Sequence, residues 1–117
     1  KIKNYYYLYH FLTSDIEWNL IKEIYNCNEE SLVMIFDLLY RIKNNKGEKQ
    51  TILKGIVNLK TYNLVFLNYY TEINKKDLNS IINNAKSMIT LFIFYENDEF
   101  KIKKFNRKEL KKFLKQL

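Results

Sequence analysis

The chain is 117 residues long, 47% apolar, and carries a formal net charge of +7. A chain of this size buries roughly two-thirds of its unfolded surface, enough for one real core, so we expect one domain over residues 1–117. The apolar fraction excludes a largely disordered tail. The longest apolar runs, residues 32–36 and 91–95, are far too short to cross a bilayer.

Pro is absent, and the two glycines, Gly47 and Gly55, mark no linker. No secretory signal pattern opens the chain. It starts on Lys1 rather than Met, which fits a processed form or an excerpt of a longer protein. One cysteine, Cys27, cannot form an internal disulfide, so an intracellular, reducing compartment is expected, in cytoplasm or an organelle interior. The positive charge invites a nucleic-acid reading, yet Lys and Arg stand at 18 to 2. Arg is the usual bidentate reader of phosphate and guanine. Lys, Asn, Ile, Tyr and Phe dominate the chain, and all have codons rich in A and T. Compositional bias alone would produce this profile.

Residues 3–10 read as a strand, with Tyr5, Tyr7 and Tyr9 on one face and Tyr6, Leu8 and His10 on the other; a short helix is the competing reading. Ser14 with Glu17 has the spacing of a capping box. Ile16, Leu20, Ile21 and Ile24 then form a helical stripe to about Tyr25, with Trp18 and Tyr25 on its margin. Asn28 is the next cap, with Glu29 and Glu30 in the first turn, where the helix dipole favours them. Residues 32–42 are too long and too apolar for a buried strand and read as a nearly enclosed helix. Asp37 and Arg41 give it a polar seam at i and i+4. Residues 44–50, with Gly47, are a loop.

Residues 51–59 and 62–70 read as strands, the second with Tyr62, Leu64, Phe66 and Tyr70 on one face. Asn74 with Asp77 repeats the capping pattern, and Leu78, Ile81, Ile82 and Ala85 make a helical stripe. Residues 89–95 are apolar on both faces, which predicts a strand inside the sheet, covered on both sides. An acidic turn at 96–99 leads to a strand over 100–105, whose Lys101 and Lys103 suit a sheet edge. Asn106 and Glu109 form a capping box, with Phe105 and Leu110 at the staple positions. Leu110, Phe113, Leu114 and Leu117 follow at i, i+3, i+4 and i+7.

The expected fold is therefore α+β: a mainly antiparallel sheet of about five strands with about four helices, in the order β-α-α-β-β-α-β-β-α. Without the second helix and the last strand and helix, the order matches a ferredoxin-like core, leaving a C-terminal β-α extension.

Catalytic constellations are scarce. One His and one Cys cannot close a zinc site. His10 reads as a strand residue near the surface and Cys27 as a helix-junction residue, although folding could pair His10 with Ser14 or Cys27. Two isolated glycines exclude the phosphate-binding loops. Glu96, Asp98 and Glu99 read as a solvated turn rather than a cation site. Glu72, Lys75, Lys76 and Asp77 read as a helix start, although a small metal-dependent nuclease would want such a group. No cofactor is expected.

Two binding readings remain. Ten Tyr, eight Phe and one Trp exceed what one small core needs, and Tyr and Trp are enriched at interface centres. The leading expectation is a non-enzymatic interaction domain, docking in a homo-oligomer or larger assembly through a tyrosine-rich surface. The alternative is a single-stranded RNA or DNA binder. In a ferredoxin-like sheet Tyr5, Tyr7 and Tyr9 on the first strand and Tyr62, Phe66 and Tyr70 on the third would be central, where RNA-recognition motifs carry base-stacking rings. Their sequence signature is absent, since residues 54–57 match only its first two positions. Lys108, Lys111, Lys112 and Lys115 on the last helix are the candidate phosphate contacts.

Overall fold

A computed structural model of the protein describes residues 2–12, 17–44 and 51–117, with side chains from Tyr7 onward. The elements run α1 (Ile2–Leu12), α2 (Trp18–Asn26), α3 (Glu29–Lys43), β1 (Leu53–Asn58), β2 (Tyr62–Leu67), a 3-10 turn (Tyr70–Glu72), α4 (Lys75–Asn84), β3 (Ile89–Glu96), β4 (Glu99–Asn106) and α5 (Arg107–Gln116). Among the described residues the class is α+β, with a four-stranded sheet and five α-helices.

The first element corrects the sequence expectation, because residues 3–10 lie in a helix. Leu8, Phe11 and Leu12 recur at i, i+3 and i+4, and Leu8 and Phe11 are buried. Helical spacing and packing against α3 and β4 outweigh the strand preference of tyrosine, which is weak and context-dependent. The expected cap at Ser14, the stripe position Ile16 and the loop at 45–50 lie outside the described residues. Among the described ones, α2 begins at Trp18, and Glu17 makes no capping bond.

The strands lie in the order β1-β2-β3-β4. β1/β2 and β3/β4 are antiparallel, while β2 and β3 run parallel, joined through α4. Among the described residues the element order is α-α-α-β-β-α-β-β-α and the sheet has four strands, which corrects the expected order β-α-α-β-β-α-β-β-α and its count of five strands. Without a strand at 3–10 the ferredoxin-like arrangement loses one of its two central strands, and helices cover both faces of the sheet rather than one.

Hydrophobic patterning explains the two cores. On one face Tyr62, Leu64 and Phe66 of β2 and Leu91 and Ile93 of β3 pack under α1–α3. On the other, Val65, Leu67, Phe92 and Phe94 pack under α4 and α5. β3 is therefore interior to the sheet and buried on both sides, while β4 with its lysines forms an edge. A bulge between Leu53 and Gly55 turns Leu53 towards α4 and α5. Gly55 faces α3 so closely that a Cβ would lie 2.9 Å from Leu38 Cδ2. The β3–β4 hairpin turns through Asn97 and Asp98 at φ 54° and 63°, the left-handed pair that a tight two-residue hairpin needs.

The caps of α3, α4 and α5 stand where the sequence places them. The Ser31 amide donates to Asn28 Oδ1 at 2.7 Å and the Asp77 amide to Asn74 Oδ1 at 2.9 Å. Asn106 and Glu109 close the full capping box at 2.8 and 2.9 Å. Among the described residues, no helix is long and apolar enough to cross a membrane.

Candidate functional site

The six aromatic candidates are dispersed by the fold. The side chain of Tyr5 lies outside the described residues. Tyr7, half-buried on α1, meets Tyr40 edge-on at 5.3 Å, and its hydroxyl accepts from Asn44 Nδ2 at 3.2 Å. Tyr9 is 69% exposed. Tyr62 and Phe66 are core residues beneath α1–α3, so neither offers a ring to a base. Tyr70 falls beyond the end of β2, in the 3-10 turn, and packs on the opposite side of the sheet. There it stacks on Phe94 at 5.3 Å and on Phe113 at 6.2 Å. A uniform aromatic sheet face is therefore replaced by two covered faces.

His10 and Cys27 sit near opposite ends of β3. The His10 ring contacts Tyr95 and Phe100, and burial, then the charge of Lys43, lowers its pKa. Cys27 donates its thiol to the Ile24 carbonyl at 3.0 Å. Burial pushes that thiol up, away from the thiolate that a nucleophile needs. In the acidic turn, Glu96 and Glu99 lie 3.6 and 4.0 Å from Lys101 Nζ.

A groove of about 850 Å3 runs between α2 and the β1–β2 turn, with Glu17, Glu23, Cys27, Tyr62 and Lys104 among its lining residues. Its carboxylates are already engaged. Glu23 accepts from the Thr61 amide at 2.8 Å, and Glu17 accepts from the Tyr62 hydroxyl at 2.8 Å and from Lys104. The Lys104 and Tyr62 hydrogen bonds hold Glu17 below the ordinary carboxylate range. Burial, then the Glu17 contact, pushes the Tyr62 phenol up to about 12. These contacts tie α2 to β2 and β4.

Two surfaces remain once the core is filled. On α2, Trp18 and Tyr25 stand at i and i+7 on the solvent stripe, 66% and 69% exposed, with Lys22 Nζ 6.0 Å from the indole centroid. On α3, Val33 and Tyr40 repeat that spacing, and Met34 is also exposed. The 3.6-residue period places i and i+7 on one line, so this was readable in the sequence. No inward stripe marks it, because Trp18 and Tyr25 fall at the margin of the stripe that Leu20 and Ile24 bury.

The second surface is basic. Residues 1–44 carry five cations and six carboxylates, whereas residues 51–117 carry thirteen and six. Lys108, Lys111, Lys112 and Lys115 are all exposed on α5 and share one stripe with Arg107. At its N-terminal end that stripe meets a cleft of about 470 Å3 lined by Lys60, Lys86, Ser87, Met88, Asn106, Arg107 and Lys108. Lys60 and Lys86 come from loops far apart in sequence, and no local motif marks them. Comparison with protein-family models, with curated proteins and with solved structures finds no match for this chain.

Proposed function

We propose that this protein is a non-enzymatic interaction domain that docks on a protein surface, in a homo-oligomer or larger assembly, through the outward faces of α1–α3. One observation carries the reading: α2 and α3 each hold a pair of large apolar side chains at i and i+7 on the solvent side, after their inward stripes are already buried. Tyr9 on α1 adds a further ring. Large amphipathic rings contribute most where an interface is fully desolvated, and Lys22, Asp37 and Arg41 beside them supply a polar rim. Such side chains are not required for folding at these positions. The lone Cys27, held on the Ile24 carbonyl, fits a reducing intracellular setting for such an assembly.

The indole of Trp18 is the one tryptophan in the chain, so its fluorescence reports directly on this surface. Self-association predicts a blue shift of the emission between micromolar and millimolar protein, in step with a mass increase by sedimentation. Docking on another protein predicts the same shift when that protein is added. Replacing Trp18 and Tyr25 by Ser should abolish the association while leaving the melting temperature nearly unchanged. Association that survives both substitutions would overturn the reading.

A further inference from the structure

We infer that the cleft between the β1–β2 turn, the loop before β3 and the start of α5 binds the phosphate backbone of a single-stranded nucleic acid, which continues along the outer stripe of α5. This site lies outside the α1–α3 faces and is independent of the docking proposed for them.

The charge arrangement carries the argument. Some cations are neutralised locally: Arg41 pairs with Asp37 at 3.0 Å, Lys101 lies beside Glu96 and Glu99, and Lys104 bonds Glu17. Lys60, Lys86, Arg107 and Lys108 instead converge on one concave space whose lining includes no carboxylate. Among the described residues, none of these four is ion-paired. A low-dielectric concavity lined by one sign of charge concentrates potential and attracts a polyanion.

The cleft is also rigid. Asn63 of β2, fully buried, accepts from the Lys86 and Ser87 amides at 3.0 and 2.9 Å and donates to the Ser87 carbonyl at 3.0 Å and to Thr90 Oγ1 at 3.1 Å. The Ser87 hydroxyl in turn bonds the Leu59 carbonyl. The loop that presents Lys86 and Met88 is therefore set in place before any ligand arrives, which reduces the ordering cost of binding.

The extended row of cations selects among polyanions. α5 is ten residues long, about 15 Å at 1.5 Å per residue, and its outer stripe continues the charge of the cleft past several phosphates. Its apolar side is committed to the core through Leu110, Phe113 and Leu114. It therefore cannot enter a bilayer in the way interfacial helices do, and a flat headgroup surface would not reach into the concavity. Duplex DNA is stiff over about 150 base pairs and does not bend into a cleft this small, whereas a single strand does. Met88, 77% exposed at the rim, offers a polarizable thioether to a base face. With lysines as the main contacts, binding should be tolerant of sequence.

The test is fluorescence anisotropy with labelled single-stranded homopolymers of about 20 nucleotides, long enough for a site of this kind. The expected result is binding at low salt, with a log–log salt slope of about −3 to −4 for four to six phosphates on a single strand. Lys60→Glu with Lys86→Glu should weaken binding by at least about tenfold and flatten that slope, whereas Lys75→Glu with Lys76→Glu on α4 should change it less than about threefold. If the first pair impairs folding by circular dichroism, Lys108→Gln with Lys112→Gln serves in its place. No binding at low salt, equal losses from the α4 control, or tighter binding to anionic phospholipid vesicles would each overturn the inference. Loss of protein docking in the Trp18 and Tyr25 variants, with oligonucleotide binding intact, would separate the two surfaces.

Discussion

The layers on the two sides of the sheet differ in what is left over after packing. α1–α3 bury Leu8, Phe11, Leu20, Ile24, Ile35 and Leu39 against one face and still present Tyr9, Trp18, Tyr25, Val33 and Tyr40 to solvent. α4 and α5 bury Leu78, Ile81 and Leu110 against the other face, and every exposed residue within those two helices is polar or charged. Both layers satisfy the same requirement, an apolar stripe on a sheet. The surplus is therefore informative: rings on one side, cations on the other. Burial alone does not explain either excess, and each suits a different kind of partner.

The comparison can be tested first at the two cores. Phe92 is fully buried among the rings of Phe105, Phe113 and Tyr70, at 5.2, 6.4 and 5.9 Å. Phe92→Ala should cost about 3–5 kcal/mol by urea denaturation, and Leu39→Ala under α1–α3 about 2–5 kcal/mol. A loss below about 1 kcal/mol from either would mean that the layer over it is not packed as described.

Gly55 probes the α3 side alone. Gly55→Ala places a methyl against Leu38, which is itself buried, and overpacking of this kind costs about 1–3 kcal/mol. Leu38→Val should recover part of that loss in a double-mutant cycle. Strictly additive effects would show that α3 and β1 are not in contact at this point.

The smallest effect concerns the link between α2 and the sheet at Glu17. Its folded pKa lies below the ordinary value because Lys104 and Tyr62 donate to the carboxylate. The resulting stabilisation is present above the unfolded pKa of about 4.3 and is lost as pH falls through the folded value. Glu17 is well exposed, so the contribution should be only a few tenths of a kcal/mol. Glu17→Gln should be slightly less stable than the parent near neutral pH, and the two should converge in acid. Tyr62 acts with the opposite sign. Its phenol stays protonated up to about 12, whereas the unfolded chain ionises near 10. Stability should therefore fall between about 10 and 12, and Tyr62→Phe should remove that alkaline loss. A gap between parent and Glu17→Gln that persists unchanged in acid would show that the carboxylate is not the group responsible.

Much of this architecture was legible locally. The capping box at Asn106 and Glu109, the caps at Asn28 and Asn74, and the tight turn after Glu96 all stand where spacing predicts them. The interior placement of β3 followed from its two apolar faces. Helix α1 departs from its local pattern, because alternating tyrosines mimic strand periodicity over a short span. The helical signal there, Leu8 with Phe11 and Leu12, is confined to its last residues. Among the site residues, the α5 lysines were legible as one stripe, while Lys60 and Lys86 were not, since neither belongs to a periodic element.

Caps, stripes and turns depend on side chains within a few residues of one another, and the linear order of this chain was enough to specify them. The parallel pairing of β2 with β3, the side of the sheet each helix takes and the meeting of Lys60, Lys86 and Arg107 at one cleft depend on contacts between distant segments. Those arise when both faces of a four-stranded sheet have to be covered at once, a constraint that no short window of residues contains.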